Sequence, residues 1–180
     1  LKYLIKSKNF KLTKIYTRSK SKIKKDSFYI KNVNLFSFNL NKILSDPMIS
    51  ALIIVTPIDT HFKICQEAIK FTKNILIEKP LALNFKEAEK IKELSIRHNN
   101  IVHTAYTYIF SESLNFINTI IKKGFIGKLN SIDISIQQLG RFLKYDVILL
   151  LGSHCISILQ KFYKIEKLEY KVFPEIFNKQ

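Results

Sequence analysis

With 180 residues, 47% of them hydrophobic, and a mean hydropathy near zero, the chain is too apolar for a disordered tail and has no apolar run long enough for a membrane-spanning helix. Its formal net charge of +16 and pI near 9.8 would suit a nucleic-acid or anionic-membrane partner, yet only three of the 30 basic residues are arginines and the lysines are scattered. Cys65 and Cys155 lack CxxC spacing and make neither a disulfide framework nor a zinc site, so a reducing cytoplasm is the expected setting.

Leu1 to Lys8 reads as the end of a helix, and the lysine-rich LKYLIKSKNFK start has no signal-peptide core. Phe10 to Thr17 alternates as a strand does and ends in the polar turn Thr17-Arg18-Ser19-Lys20. Leu52 to Val55 is a short apolar run, predicting a strand buried on both faces that stops at Thr56-Pro57. His61 to Lys73 carries apolar residues at helical spacing, with Asp59 or Thr60 as its cap. Ile75 to Ile77 predicts the next buried strand, closed by Glu78-Lys79-Pro80. Phe85 to His98 predicts a helix with a capping-box-like start at Asn84 and Glu87. Val102 to Phe110 returns to strand, and Glu112 to Lys123 forms a helix stopped by Gly124. Leu129 to Gln138 alternates through Ile132, Ile134 and Ile136, predicting a strand with one wet face. Val147 to Leu151 reads as a short buried run, and Leu168 to Phe173 as a further strand.

Strands alternating with helices predict an α/β fold, a doubly wound parallel sheet. The change to an alternating strand late in the chain predicts two domains, residues 1–103 and 104–180.

Four segments stand out along the chain: SDPMISALIIVTPIDTH (45–61), NILIEKPLALNFKEAEKI (74–91), IIKKGFIGKL (120–129) and LGSHCISIL (151–159). EKP after a buried strand, about twenty residues beyond TPxxxH, is a specific combination. Together these segments resemble the Gfo/Idh/MocA family of NAD(P)-dependent oxidoreductases. The resemblance implies a Rossmann domain over 1–103, followed by the start of an α+β open-sheet domain for substrate binding and oligomerisation.

The physics of the strand ends agrees with that resemblance. In a doubly wound sheet, ligands sit beyond the carboxyl ends of the strands, where Thr56-Pro57 and Glu78-Lys79-Pro80 fall. Pro80 biases Lys79 away from helical torsions and permits a cis peptide. By resemblance, Lys79 lies beside the nicotinamide and the substrate hydroxyl, and His154 matches the histidine of the DxGxH motif, so these two would carry the proton chemistry. The motif's acidic position is Leu150, which cannot accept a proton; Asp146 is not a motif match. Thr56, Pro57, His61, Glu78, Lys79 and Pro80 are expected to face the cofactor, with Thr17, Arg18 and Ser19 meeting its adenosine ribose. Arg18 and Ser19 in place of an acid favour NADP over NAD. A structural role for His61, in the first turn of a helix, is the alternative reading. His98 and His103 have no metal-ligand spacing to another His, Cys or acid, and no metal is expected.

The GxGxxG turn is absent: Gly124, Gly127, Gly140 and Gly152 all lie beyond the first domain. The first strand and phosphate loop are therefore expected upstream of residue 1, leaving exposed edges, weak cofactor affinity and low stability in these 180 residues alone. The function implied is hydride transfer between NAD(P) and a hydroxyl or keto group of a sugar, cyclitol or nucleotide-linked sugar. Loss of the motif acid supports a second reading, a non-catalytic descendant acting as ligand sensor or remnant. A sugar-like small molecule and a second copy of the chain are the expected partners. With 27 lysines beside 29 isoleucines, the charge reads as AT-biased composition, and neither nucleic acid nor membrane is expected.

Overall fold

The computed structural model describes residues 2–71, 73–137, 145–165 and 171. The chain divides into two compact units, Leu1–Ala105 and Tyr106–Gln180.

In the first unit, helix α1 (Lys2–Lys6) precedes strand β1 (Ile15–Tyr16), which pairs in parallel with β2 (Phe36–Ser37). Short helices α2 (Lys20–Ile23) and α3 (Ser27–Lys31) connect them, and the Asp26 carboxylate caps α3 by accepting the Tyr29 N–H at 2.9 Å. Helix α4 (Leu40–Leu44) leads into a three-stranded parallel sheet of β3 (Ala51–Ile54), β4 (Asn74–Glu78) and β5 (Val102–Ala105), in the order β3-β4-β5. Helices α5 (His61–Lys70) and α6 (Phe85–Arg97) make the two crossovers.

This arrangement follows from the side-chain pattern. Ile54, Ile75 and Ile77 point to one face and bury against Cys65, Ala68 and Ile69 of α5 and Ile91 of α6, together with Leu44. Each of these is at most 4% exposed, and a fully buried aliphatic side chain contributes about 1.5–3 kcal/mol. The α6 cap forms as the spacing predicts: Asn84 Oδ1 accepts the Glu87 N–H at 3.0 Å, while Glu87 Oε2 reaches back to the Leu83 N–H at 3.2 Å. At the opposite edge of the sheet, Lys73 is 6% exposed and its ammonium donates to Asp46 O at 2.6 Å and Ile49 O at 2.5 Å. That buried charge is satisfied by main-chain dipoles, which hold the loop leading into β3 against the start of β4.

Several sequence expectations shift. The sheet is not buried on both faces: Ile53, aligned with Leu76 and through it with His103, is 47% exposed and Leu76 38%. Packing on α5 and α6 consumes one set of alternate residues and leaves the other set outward. The β1 ladder is shorter than Phe10 to Thr17, because its partner β2 is only two residues long. Helix α5 ends at Lys70, where Phe71 leaves helical torsions and the Lys73 N–H returns to Ala68 O at 3.3 Å. The strand expected over 102–110 stops at Ala105. Its neighbour β4 supplies its last partner at Glu78, Pro80 has no N–H to continue the ladder, and Thr107–Phe110 instead winds into a 3₁₀ turn.

In the second unit, Ser111 caps helix α7 (Glu112–Lys122) through its Oγ, which accepts the Leu114 N–H at 3.5 Å. The helix ends in a Schellman motif at Gly124, φ +74°, with Gly124 N–H on Ile121 O at 3.0 Å and Phe125 N–H on Ile120 O at 3.2 Å. Residues 129–137 alternate in burial as predicted, with Ile132, Ile134 and Ile136 half-buried, yet they form no strand. A strand requires a hydrogen-bonded neighbour, and none is present among the described residues. Val147 and Ile148 are 62% and 50% exposed and enter a π-turn, Ile148–Gly152, that feeds helix α8 (Ser153–Phe162); the run is neither a strand nor buried. The strand expected at 168–173 lies outside the described residues, as do Gln138, Gly140 and Arg141.

Candidate active site

Three strands of the first unit end side by side in one direction, because β3, β4 and β5 are parallel and in continuous register. Thr56-Pro57 follows β3, and Glu78-Lys79-Pro80 closes β4. The Lys79-Pro80 peptide is cis. Lys79 is half-buried, and its N–H donates to Glu78 Oε2 at 3.0 Å. Burial holds the Lys79 ammonium below the ordinary lysine range, with the Glu78 carboxylate pulling in the opposite sense. A lysine in that position gives up its proton more readily than an exposed one.

His61, at the start of α5, is 1% exposed. Its Nε2 lies 2.8 Å from Thr56 O and its Nδ1 3.0 Å from Pro80 O, so the ring stands between the ends of β3 and β4. The Thr60 hydroxyl, 2.7 Å from both Thr56 Oγ1 and Pro57 O, braces the same turn. Thr60 therefore does not cap α5 with its side chain, as the sequence predicts; its hydroxyl is turned back towards β3. Thus Thr56, Pro57, His61, Lys79 and Pro80 are brought together at one edge of the sheet, with Glu78 as their neighbour.

Thr17, Arg18 and Ser19 follow β1, whose pairing with β2 is extended by the Thr17 N–H on Ser37 O at 3.2 Å. Arg18 is exposed, and Ser19 Oγ lies 2.9 Å from Ser21 Oγ. Thr17, Arg18 and Ser19 thus stand at the end of β1, on a different sheet from β3, β4 and β5.

His154 belongs to the second unit. It sits half-buried in the first turn of α8, and its ring meets that of Tyr108 edge-on with centroids 4.9 Å apart. Leu150, expected from the resemblance at the motif's acidic position, is half-buried in the π-turn, and Asp146 Oδ1 accepts the Ile148 N–H at 2.6 Å, which makes it a cap for that turn. Sequence reasoning missed Tyr108 as the neighbour of His154 and Lys73 as a buried strap. Neither gave a signal: Tyr108 lies within the run read as strand, and Lys73 is one among many lysines. Among the described residues no three His, Cys, Asp or Glu side chains come together as a metal site, and no helix is long and apolar enough to cross a membrane.

Residues 1–106 match the model of the GFO_IDH_MocA oxidoreductase family with its NAD-binding Rossmann fold, and the chain belongs to that family. The scyllo-inositol 2-dehydrogenase (NAD(+)) of Bacillus subtilis strain 168 is 42% identical over 59 residues, 31% of this chain and 17% of that protein. The scyllo-inositol 2-dehydrogenase (NADP(+)) IolW of the same strain is 22% identical over 129 residues, 72% of this chain and 35% of that protein. In fold, an NAD-binding protein from Listeria innocua superposes with a TM-score of 0.71 at 18% identity, over 88% of this chain and 49% of that one. The chain thus spans about half the length of that solved structure and a smaller share of the two dehydrogenases.

Proposed function

We propose that the chain belongs to an oxidoreductase that moves a hydride between a nicotinamide cofactor and a hydroxyl or keto carbon of a sugar, cyclitol or nucleotide-linked sugar. The observation that carries this reading is Lys79: it closes β4 at the parallel strand ends, half-buried, with its proton loosened by burial. The bound cofactor supplies the hydride chemistry; the chain supplies position and proton. Lys79 donates a hydrogen bond to the substrate oxygen and takes up or returns its proton through Nζ. His154, on the second unit, is the other proton carrier. Thr56, Pro57, Glu78 and Pro80 form the cofactor-facing edge. Arg18 and Ser19 favour the 2′-phosphate of NADP over the bare ribose of NAD. The first unit is then the cofactor domain and the second the start of a substrate domain that pairs with another copy. The names of the two inositol dehydrogenases agree with a cyclitol-like substrate and include both cofactor forms.

A non-catalytic descendant is favoured by one observation, Leu150 at the acidic position. One titration separates the readings. NADPH and NADH are titrated by nicotinamide fluorescence against the protein expressed from its natural start. Tighter NADPH binding, weakened about tenfold or more by Arg18→Asp through loss of a charge-assisted bond, is the expected result. Binding of neither cofactor by the folded protein would leave the family fold without its chemistry.

A further inference from the structure

His61 has no open direction towards a ligand: its ring is 1% exposed and both nitrogens face main-chain carbonyls. Carbonyl oxygens only accept, so each is bonded through a ring N–H, and bonding both at once takes an N–H on each nitrogen. The two oxygens belong to different strand ends, Thr56 beyond β3 and Pro80 beyond β4, and between the strands there is no ladder bond at that level, since the β3–β4 register ends at Ile54 and Ile77. Pro80 has no N–H with which to extend it. The ring therefore replaces the missing rungs. Resting on the function proposed above, we infer that His61 is a positioning residue: by tying Thr56 O to Pro80 O it fixes the segment from which Lys79 projects. The residue acts through the main chain on either side and touches no reacting atom.

The consequence is local and side-specific. An asparagine amide at position 61 keeps a donor close to where Nδ1 stands and so retains the Pro80 bond. A glutamine amide reaches where Nε2 stands, retains the Thr56 bond and releases Pro80. The readout is trace acetylation of lysines, quantified peptide by peptide, which needs neither cofactor nor substrate. Lys73, buried and bonded to Asp46 O and Ile49 O, reports whether the sheet has stayed folded. Lys90, exposed and paired with Glu93 at 2.9 Å, serves as the surface reference.

With Lys73 still protected, His61→Ala and His61→Gln are expected to raise acetylation of Lys79 relative to Lys90 by about threefold or more, as loss of one hydrogen bond shifts the local opening equilibrium. His61→Asn is expected to leave it within about twofold of the parent. Equal labelling of Lys79 in the Asn and Gln variants would overturn the inference, as would an unchanged value in His61→Ala with Lys73 protected. Should His61→Ala expose Lys73 as well, the Asn–Gln contrast alone decides. Absence of cofactor binding by the parent protein would sink the proposed function but leave the lysine labelling pattern to stand or fall by itself.

Discussion

At the scale of single residues, environment divides like from like. Cys65 is fully buried between α5 and the sheet, and burial pushes its thiol from 9.0 up to about 12. Its folded value lies above its unfolded one, so the associated stability is complete below about pH 9 and fades as pH climbs towards 12. Iodoacetamide at pH 8 is therefore expected to modify half-buried Cys155 while sparing Cys65; equal modification of both in folded protein would contradict the packing described. Lysine shows the same division. Lys79 and Lys73 are taken into the structure for different purposes, one loosened by burial at the open strand ends and the other bound by carbonyls at the starts of the strands. In the sequence both are members of a set of 27, and only the EKP context marked Lys79.

At the scale of elements, the caps carry the clearest tests. Asn84→Ala removes the acceptor for the Glu87 N–H and is expected to cost about 1 kcal/mol, read as a lower urea midpoint with unchanged slope. A Cβ at Gly124 would meet nothing within 4 Å, so Gly124→Ala tests backbone conformation alone: at φ +74° it is expected to cost about 1–2 kcal/mol. A loss below a few tenths would mean the Schellman turn does not hold α7. The helices α6 and α7 were legible in the sequence because each announces itself twice, by apolar period and by a cap or stop, whereas α5 was legible by its apolar period alone. The strands were legible in position but not in extent. Their length depends on a partner: β5 ends where β4 has no more to offer, and 129–137 keeps its alternation without a ladder. Of the candidate site, the strand-end residues could be read from TPxxxH and EKP; that His61 spans both could not, since it depends on how far apart the two strand ends stand.

At the scale of the molecule, charge and connectivity dominate. With a net +16, self-repulsion works against the folded state, and the ion pairs Lys70–Glu67 and Lys90–Glu93 are exposed and worth little. Raising salt from roughly 0.02 to 0.5 M is thus expected to raise Tm, because screening relieves more repulsion than attraction. A fall in Tm would show that attractive pairs outweigh the excess charge. The ring of His61 has a further meaning for how the molecule is made. Its two carbonyl partners lie five and nineteen positions away, within the single unit β3–α5–β4. That strand–helix–strand stretch is about thirty residues long, so the entropy of closing its loop is modest. One short crossover thus brings together the two carbonyls that His61 meets, while the core beneath them is completed by Leu44 on one side of that stretch and Ile91 on the other.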